Sequence, residues 1–108
     1  MNDGKPITRL FFVKMKKAFI ELPDEEKATY MQKDRANLDE LGMKAISMVN
    51  CGWSTDEWDY IGIEQWPSLE AIKQREIFER DELEVDKYTV SKTYLGTDES
   101  FDDYGKGN

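Results

Sequence analysis

The chain has 108 residues, enough for one domain with a modest core and too few for two. Its 15 basic and 23 acidic side chains give a net charge of −8, which disfavours nucleic acid and anionic membrane surfaces as general partners. There is no histidine, which excludes imidazole metal sites and the catalytic relays that need one. No cofactor and no metal site are expected from these features.

The first seven residues lack the apolar core of a signal peptide, and no apolar run approaches the roughly 18 residues of a membrane span. Cys51 is the single cysteine, so no intrachain disulfide can form. We therefore expect a soluble cytoplasmic protein. The predicted organisation is an N-terminal arm (residues 1–6), one domain (7–97) and a flexible acidic tail (98–108).

The first half of the domain predicts a strand, a helix and a second strand. Residues 7–15 are rich in aromatic and β-branched side chains, and both alternating sets are apolar. A helix is expected over about 24–41, because Pro23 and three acidic residues favour its start and Gly42 its end. Residues 44–50 form the second predicted strand.

The second half predicts a strand, a helix and a strand. Residues 58–66 form the third strand, and the short polar connection before it predicts a hairpin with the second. Ser68 is a good cap for a helix over about 69–80, and residues 87–95 form the fourth strand.

The order β-α-β-β-α-β is typical of the ferredoxin-like fold, with a four-stranded antiparallel sheet and both helices on one face. The first and third strands, however, are apolar in both alternating phases. An uncovered second face would expose a larger apolar patch than soluble monomers normally show. We therefore predict a homodimer in which the two sheets face each other.

Residues 59–72, with the sequence DYIGIEQWPSLEAI, resemble the third strand and the start of the second helix in the dimeric α/β-barrel superfamily. That superfamily includes the antibiotic-biosynthesis monooxygenases and the stress-responsive barrel proteins, and the resemblance extends over about residues 7–97. It implies a ligand pocket in each subunit between the sheet and the helices. The branches that degrade haem or cyclise their substrates usually rely on a histidine, which this chain lacks.

Glu64 shares a predicted strand phase with Trp58, Tyr60 and Trp66, and Gly62 between them leaves space above the backbone. A carboxylate in an aromatic hollow has a raised pKa and can act as a general base. The structural alternative is a solvated or lysine-paired acid near the strand end.

Arg35 and Arg75 interrupt the apolar stripes of the two predicted helices. If both reach one cavity, two guanidinium groups can hold a carboxylate or an enolate. In the alternative, Asp34 or Glu76 neutralises them in an ordinary ion pair.

The predicted catalytic residues are Glu64 as base, with Arg75 and Tyr60 as partners of an anion. The predicted ligand-binding residues are Arg35, Trp58, Trp66, Arg9 and Phe11. For Trp58 and Trp66, a position in the dimer interface is an equal alternative.

These residues support two hypotheses. The first is a protein that binds a small aromatic or polyketide-like molecule and acts as a cofactor-independent, monooxygenase-like enzyme. The second is a non-catalytic dimer that binds a ligand or assists a neighbouring enzyme.

Overall fold

The computed structural model describes residues 5–106. Its four strands and two long helices follow the predicted order, and it adds two one-turn helices and a 3₁₀ turn. The elements are β1 (Ile7–Met15), α1 (Lys17–Ile20), α2 (Asp24–Glu40), β2 (Lys44–Asn50), β3 (Tyr60–Trp66), α3 (Leu69–Asp81), α4 (Val85–Tyr88), β4 (Thr89–Gly96) and the 3₁₀ turn Phe101–Asp103.

The four strands form one sheet in the order β2-β3-β1-β4, and every neighbouring pair is antiparallel. In the central β1–β3 pair, Ile7 lies opposite Trp66 and Val13 lies opposite Tyr60. This is the strand order of the predicted ferredoxin-like α+β fold, which is confirmed.

The hydrophobic core is concentrated at the end of the sheet where β1 begins and β3 ends. It consists of Ile7, Leu38, Met43, Trp66 and Ile72. Because Leu38 belongs to α2 and Ile72 to α3, both long helices pack on the same face of the sheet.

The helix boundaries follow the signals in the sequence. The Ser68 hydroxyl accepts a hydrogen bond from the backbone N–H of Ala71 at 3.1 Å, which caps α3. Helix α2 begins directly after Pro23 and has three acidic residues in its first turn. Gly42 follows its end with φ of +82°, the left-handed conformation that glycine adopts most easily.

The third strand begins at Tyr60, two residues later than predicted. Asp59 donates its backbone N–H to Val13, and its carboxylate accepts the N–H of Met15 at 2.8 Å. This side-chain bond ends the regular ladder, so Trp58 lies outside the strand. The fourth strand also begins two residues late, because residues 85–88 form the turn of helix α4.

In the described part of the chain, no element covers the second face of the sheet, which we call the outer face. The smallest dimension of the molecule is 18 Å, as expected for two layers. Leu10, Phe12 and Ile61 are half-buried on this face, while Val90 and Tyr94 are 49% and 53% exposed. Within residues 5–106, the longest apolar helical stretch falls short of what crossing a bilayer requires.

Candidate ligand-binding site

A cavity of about 530 Å³ lies between the sheet and the helices, beside the hydrophobic core. Both edge strands contribute small side chains to its wall. Ala45 and Ser47 line the cavity from β2, and Thr89, Ser91 and Thr93 line it from β4. These side chains are too small to fill the space beneath α2.

Aromatic and methionine side chains form much of the cavity wall. They are Phe11, Phe19, Tyr30 and Tyr60, together with Met15, Met31, Met43 and Met48. Flat apolar surfaces and flexible thioethers suit a flat apolar molecule. Met31 lines the cavity from α2, and about half of it is exposed.

Two of the rings that line the cavity, Phe19 and Tyr30, belong to a three-ring cluster with Tyr88, which is outside the cavity lining. The Phe19 and Tyr30 ring centroids are 5.3 Å apart, and those of Tyr30 and Tyr88 are 5.5 Å apart, both edge to face. Burial raises the pKa of Tyr30 to about 12, and the negative charge of Asp34 adds to the shift. The phenol of Tyr30 is therefore neutral at physiological pH.

Arg9 is the centre of a buried ion network in the cavity wall. Its side chain is only 2% exposed, its Nε donates to Glu64 at 2.8 Å and its Nη2 to Glu79 at 3.2 Å. Burial lowers the pKa of Arg9, but the charges of Glu79 and Glu64 outweigh it, so this pKa lies above its usual value. The guanidinium also lies 5.3 Å from the centre of the Trp66 ring.

Arg75 extends the network to both long helices. Its Nε donates to Glu79 at 3.0 Å, its Nη1 to Asn37 at 2.9 Å, and its Nη2 to Asp34. Because Asn37 and Asp34 belong to α2, these bonds join α3 to α2 beside the cavity. Of the two acids named as possible partners from the sequence, Asp34 pairs with Arg75, whereas Glu76 is exposed.

Glu64 is buried in the cavity wall. One carboxylate oxygen, Oε1, accepts two hydrogen bonds, from Arg9 Nε and from Trp66 Nε1 at 3.0 Å. Because both donors stabilise the charged form of the Glu64 carboxylate, this group is better suited to a structural ion pair than to accepting a proton as a general base.

The structure brings Arg9, Phe11, Tyr60, Glu64 and Arg75 together around the cavity. Trp58 was wrongly placed in this set, because its ring packs 5.5 Å from that of Phe12, which alternates to the outer face. The prediction that Gly62 leaves open space is also wrong, since the Phe11 ring fills that space.

The other two predicted residues lie at the margins of the site. Trp66 is fully buried in the core and is neither in the cavity wall nor at a sheet interface. Arg35 borders the cavity at its mouth, with its side chain 62% exposed and paired with Asp39 at 3.2 Å. Arg35 and Arg75 therefore border one cavity without converging on one point.

Glu79, which joins the two buried arginines, was not predicted from the sequence. The spacing of Arg75 and Glu79, four residues apart on one helix, was the available signal. That Glu79 also reaches Arg9 on β1 depends on tertiary packing, which no local pattern reveals.

Solved structures of other proteins share this fold. Chlorite dismutase from Candidatus Nitrospira defluvii, in complex with imidazole, superimposes with a TM-score of 0.69 at 14% identity. The chain has a chlorite dismutase-like fold. The match covers 88% of this chain but only 40% of the chlorite dismutase chain. No protein-family model and no curated protein sequence matches the chain.

A second neighbour is more similar in length. A protein of unknown function from Rhodopseudomonas palustris superimposes with a TM-score of 0.60 at 18% identity, over 90% of this chain and 85% of its own. Both neighbours share the fold of this chain, so the α+β fold that the resemblance implied is confirmed.

A haem ligated by histidine, as the resemblance implies for the haem-degrading branch, does not fit these residues. The chain has no histidine, and the Cys51 thiol, which is outside the cavity wall, donates to the carbonyl of Trp58 at 3.4 Å. Within residues 5–106, no group of three or more acidic or cysteine side chains is arranged to hold a metal ion.

Proposed function

We propose that the protein binds a small, flat, largely apolar molecule in the cavity between the sheet and the helices. The observation that supports this most strongly is the cavity itself, about 530 Å³ in volume and walled by four aromatic and four methionine side chains. Its volume is within the usual range of roughly 300–1,000 Å³ for small-molecule sites. A small aromatic or polyketide-like compound is the class of ligand that these side chains favour.

In this proposal the cavity residues have different roles. Phe11 and Tyr60 contact the flat face of the ligand, and Arg35 lies at the entrance. Glu64 and Arg75 belong to the ion network that holds α3 and the sheet in position. Because Glu64 already accepts two hydrogen bonds on one oxygen, the geometry favours binding over monooxygenase-like catalysis with Glu64 as base.

A cavity-filling variant tests the proposal. Thr93 lines the cavity from β4, and Thr29 is exposed on α2, so Thr93→Phe and Thr29→Phe make the same chemical change inside and outside the site. Titration calorimetry with 2-acetylnaphthalene should show binding that Thr93→Phe weakens at least tenfold and Thr29→Phe leaves unchanged. Equal binding by both variants would place the ligand elsewhere.

We also propose that two copies of the chain associate through the outer faces of their sheets. Four strands about 4.8 Å apart and some 25 Å long give the outer face a projected area of roughly 500 Å². Because side chains protrude from the sheet, the accessible area of this face is larger and approaches the roughly 800 Å² that each partner buries in a standard interface. The face is largely apolar, and Val49 and Tyr94 on it are 47% and 53% exposed.

Sedimentation equilibrium at micromolar concentration tests the dimer. The expected mass is twice the 12.6 kDa of one chain. Tyr94→Asp should lower the mass to that of a single folded chain, because it introduces a charge into the apolar face. Lys73→Asp, on the exposed side of α3, is the control and should remain dimeric. A single folded chain for the unaltered protein would contradict the proposal.

A further inference from the structure

The guanidinium of Arg9 has one nitrogen without a hydrogen-bond acceptor. Its Nε and Nη2 are bonded to Glu64 and Glu79, whereas Nη1 is buried and unpaired. Among the side chains of residues 5–106, it is the one buried nitrogen or oxygen atom without a hydrogen-bond partner. Such a donor is costly to leave unsatisfied, so its position calls for an acceptor.

The space beside Arg9 is the cavity, since Arg9 is one of its lining residues. Arg75, the other buried arginine of the wall, donates from all three of its nitrogens to Glu79, Asn37 and Asp34. Of the six nitrogens in these two guanidinium groups, Nη1 of Arg9 is therefore the one with no acceptor.

The charges of the network indicate what kind of acceptor fits. Two guanidinium groups, Arg9 and Arg75, face three carboxylates, Glu64, Glu79 and Asp34, so the formal sum is −1. A ligand carboxylate would add a second buried negative charge with no free cation opposite it, which is unfavourable. A neutral carbonyl oxygen accepts a hydrogen bond without adding charge.

We propose that the ligand of the cavity is an uncharged flat molecule whose carbonyl oxygen accepts a hydrogen bond from Nη1 of Arg9. This inference rests on the proposed function and specifies the class of ligand. It differs from the expectation that Arg35 and Arg75 hold a carboxylate or an enolate, because the three carboxylates of the network already outnumber its two guanidinium groups.

Calorimetric titration with four matched ligands tests the inference. 2-Acetylnaphthalene carries the carbonyl, 2-isopropenylnaphthalene replaces its oxygen with a methylene group, 2-naphthoate is the anion, and 2-naphthylmethylammonium is the cation. The ketone should bind at least about tenfold more tightly than each of the other three, as a hydrogen bond from a charged donor predicts.

The outcomes separate the inference from the function on which it rests. Equal affinities of the ketone and the isopropenyl compound would overturn the role of Arg9 and leave the binding cavity intact. Tighter binding of the cation would also overturn it, because the net negative charge would then select the ligand. No binding of any of the four would contradict the proposed function and the inference together.

Two further measurements locate the hydrogen bond. In the unaltered protein, the infrared carbonyl stretch of bound 2-acetylnaphthalene should lie below its frequency in hydrocarbon solvent; an unchanged frequency would contradict the proposal. Arg9→Lys keeps the positive charge beside Glu64 and Glu79 but loses the guanidinium fork, so the preference for the ketone should fall to within about twofold. Arg80→Lys, an exposed arginine paired with Asp81, is the control and should keep the full preference.

Discussion

Phe11 lies directly opposite Gly62 in the β1–β3 pair, and its ring occupies the space above the glycine. A Cβ atom at position 62 would come within 2.1 Å of the Phe11 ring. The missing side chain therefore lets an aromatic ring lie flat on the neighbouring strand, on the floor of the cavity.

Gly62→Ala should destabilise the protein by about 1–3 kcal/mol, because the Phe11 ring must leave the glycine. The ring then turns into the cavity, so binding of 2-acetylnaphthalene should weaken as well. Urea unfolding and calorimetry check both effects. Gly96→Ala is the control, because a Cβ there meets no atom within 4 Å. If Gly62→Ala lowers the unfolding free energy by the same amount in the Phe11→Ala background as in the unaltered protein, the proposed contact between the two residues is wrong.

Arg75→Met should cost about 3 kcal/mol of unfolding free energy, at the low end for a broken buried ion pair. Removing the guanidinium leaves Asp34 and Asn37 on α2 without their partner, and Asp34 is only 23% exposed. Urea unfolding measures the change. Arg80→Met removes an exposed arginine and should give no measurable change. Similar urea midpoints for Arg75→Met and Arg80→Met would show that the ion network does not stabilise the fold.

Stability should fall as the pH rises from about 10 to about 12, because burial raises the pKa of Tyr30 to about 12. The unfolded chain loses this proton near pH 10, whereas the folded chain retains it until higher pH, so deprotonation favours unfolding. Ultraviolet titration of the folded protein should show a phenol that ionises near pH 12, and this transition should be absent in Tyr30→Phe. If every phenol still titrates below pH 11 in the unaltered protein, the buried position of Tyr30 is wrong.

Glu84 is the non-glycine residue with a positive φ, +49°, among residues 5–106, and it lies at the start of α4. Glu84→Gly should raise the unfolding free energy by about 0.5–1 kcal/mol, because glycine adopts the left-handed conformation without a steric cost. Thermal unfolding is the measurement. Glu21→Gly, at a helix end with φ of −86°, should instead lower stability.

Much of the fold was predictable because its signals are local. The cap at Ser68, the stop at Gly42 and the aromatic and β-branched composition of β1 each depend on a few neighbouring residues. The start of β3 was not predictable, because it depends on the hydrogen bond from the N–H of Met15 to the Asp59 carboxylate. These two residues are 44 positions apart in the sequence.

The candidate site was predictable in part for a similar reason. Strand alternation put Glu64 and Tyr60 on one side of the sheet without saying which face that is, and both line the cavity; the break in the α3 stripe marked Arg75, which is buried there. The sequence did not show that Glu64 is already bound to Arg9 and Trp66. Hydrogen bonds between side chains of different strands depend on register and rotamer, which composition and spacing do not reveal.

Methionine methyl NMR can show whether a small molecule binds between the sheet and the helices. Four of the five methionines line the cavity, so methyl labelling reports on its wall almost exclusively. We expect nuclear Overhauser contacts from the ring protons of bound 2-acetylnaphthalene to the methyl groups of Met31 and Met43. If the ligand binds but none of the four cavity methionines shows a contact, the ligand lies elsewhere and the proposed site is wrong.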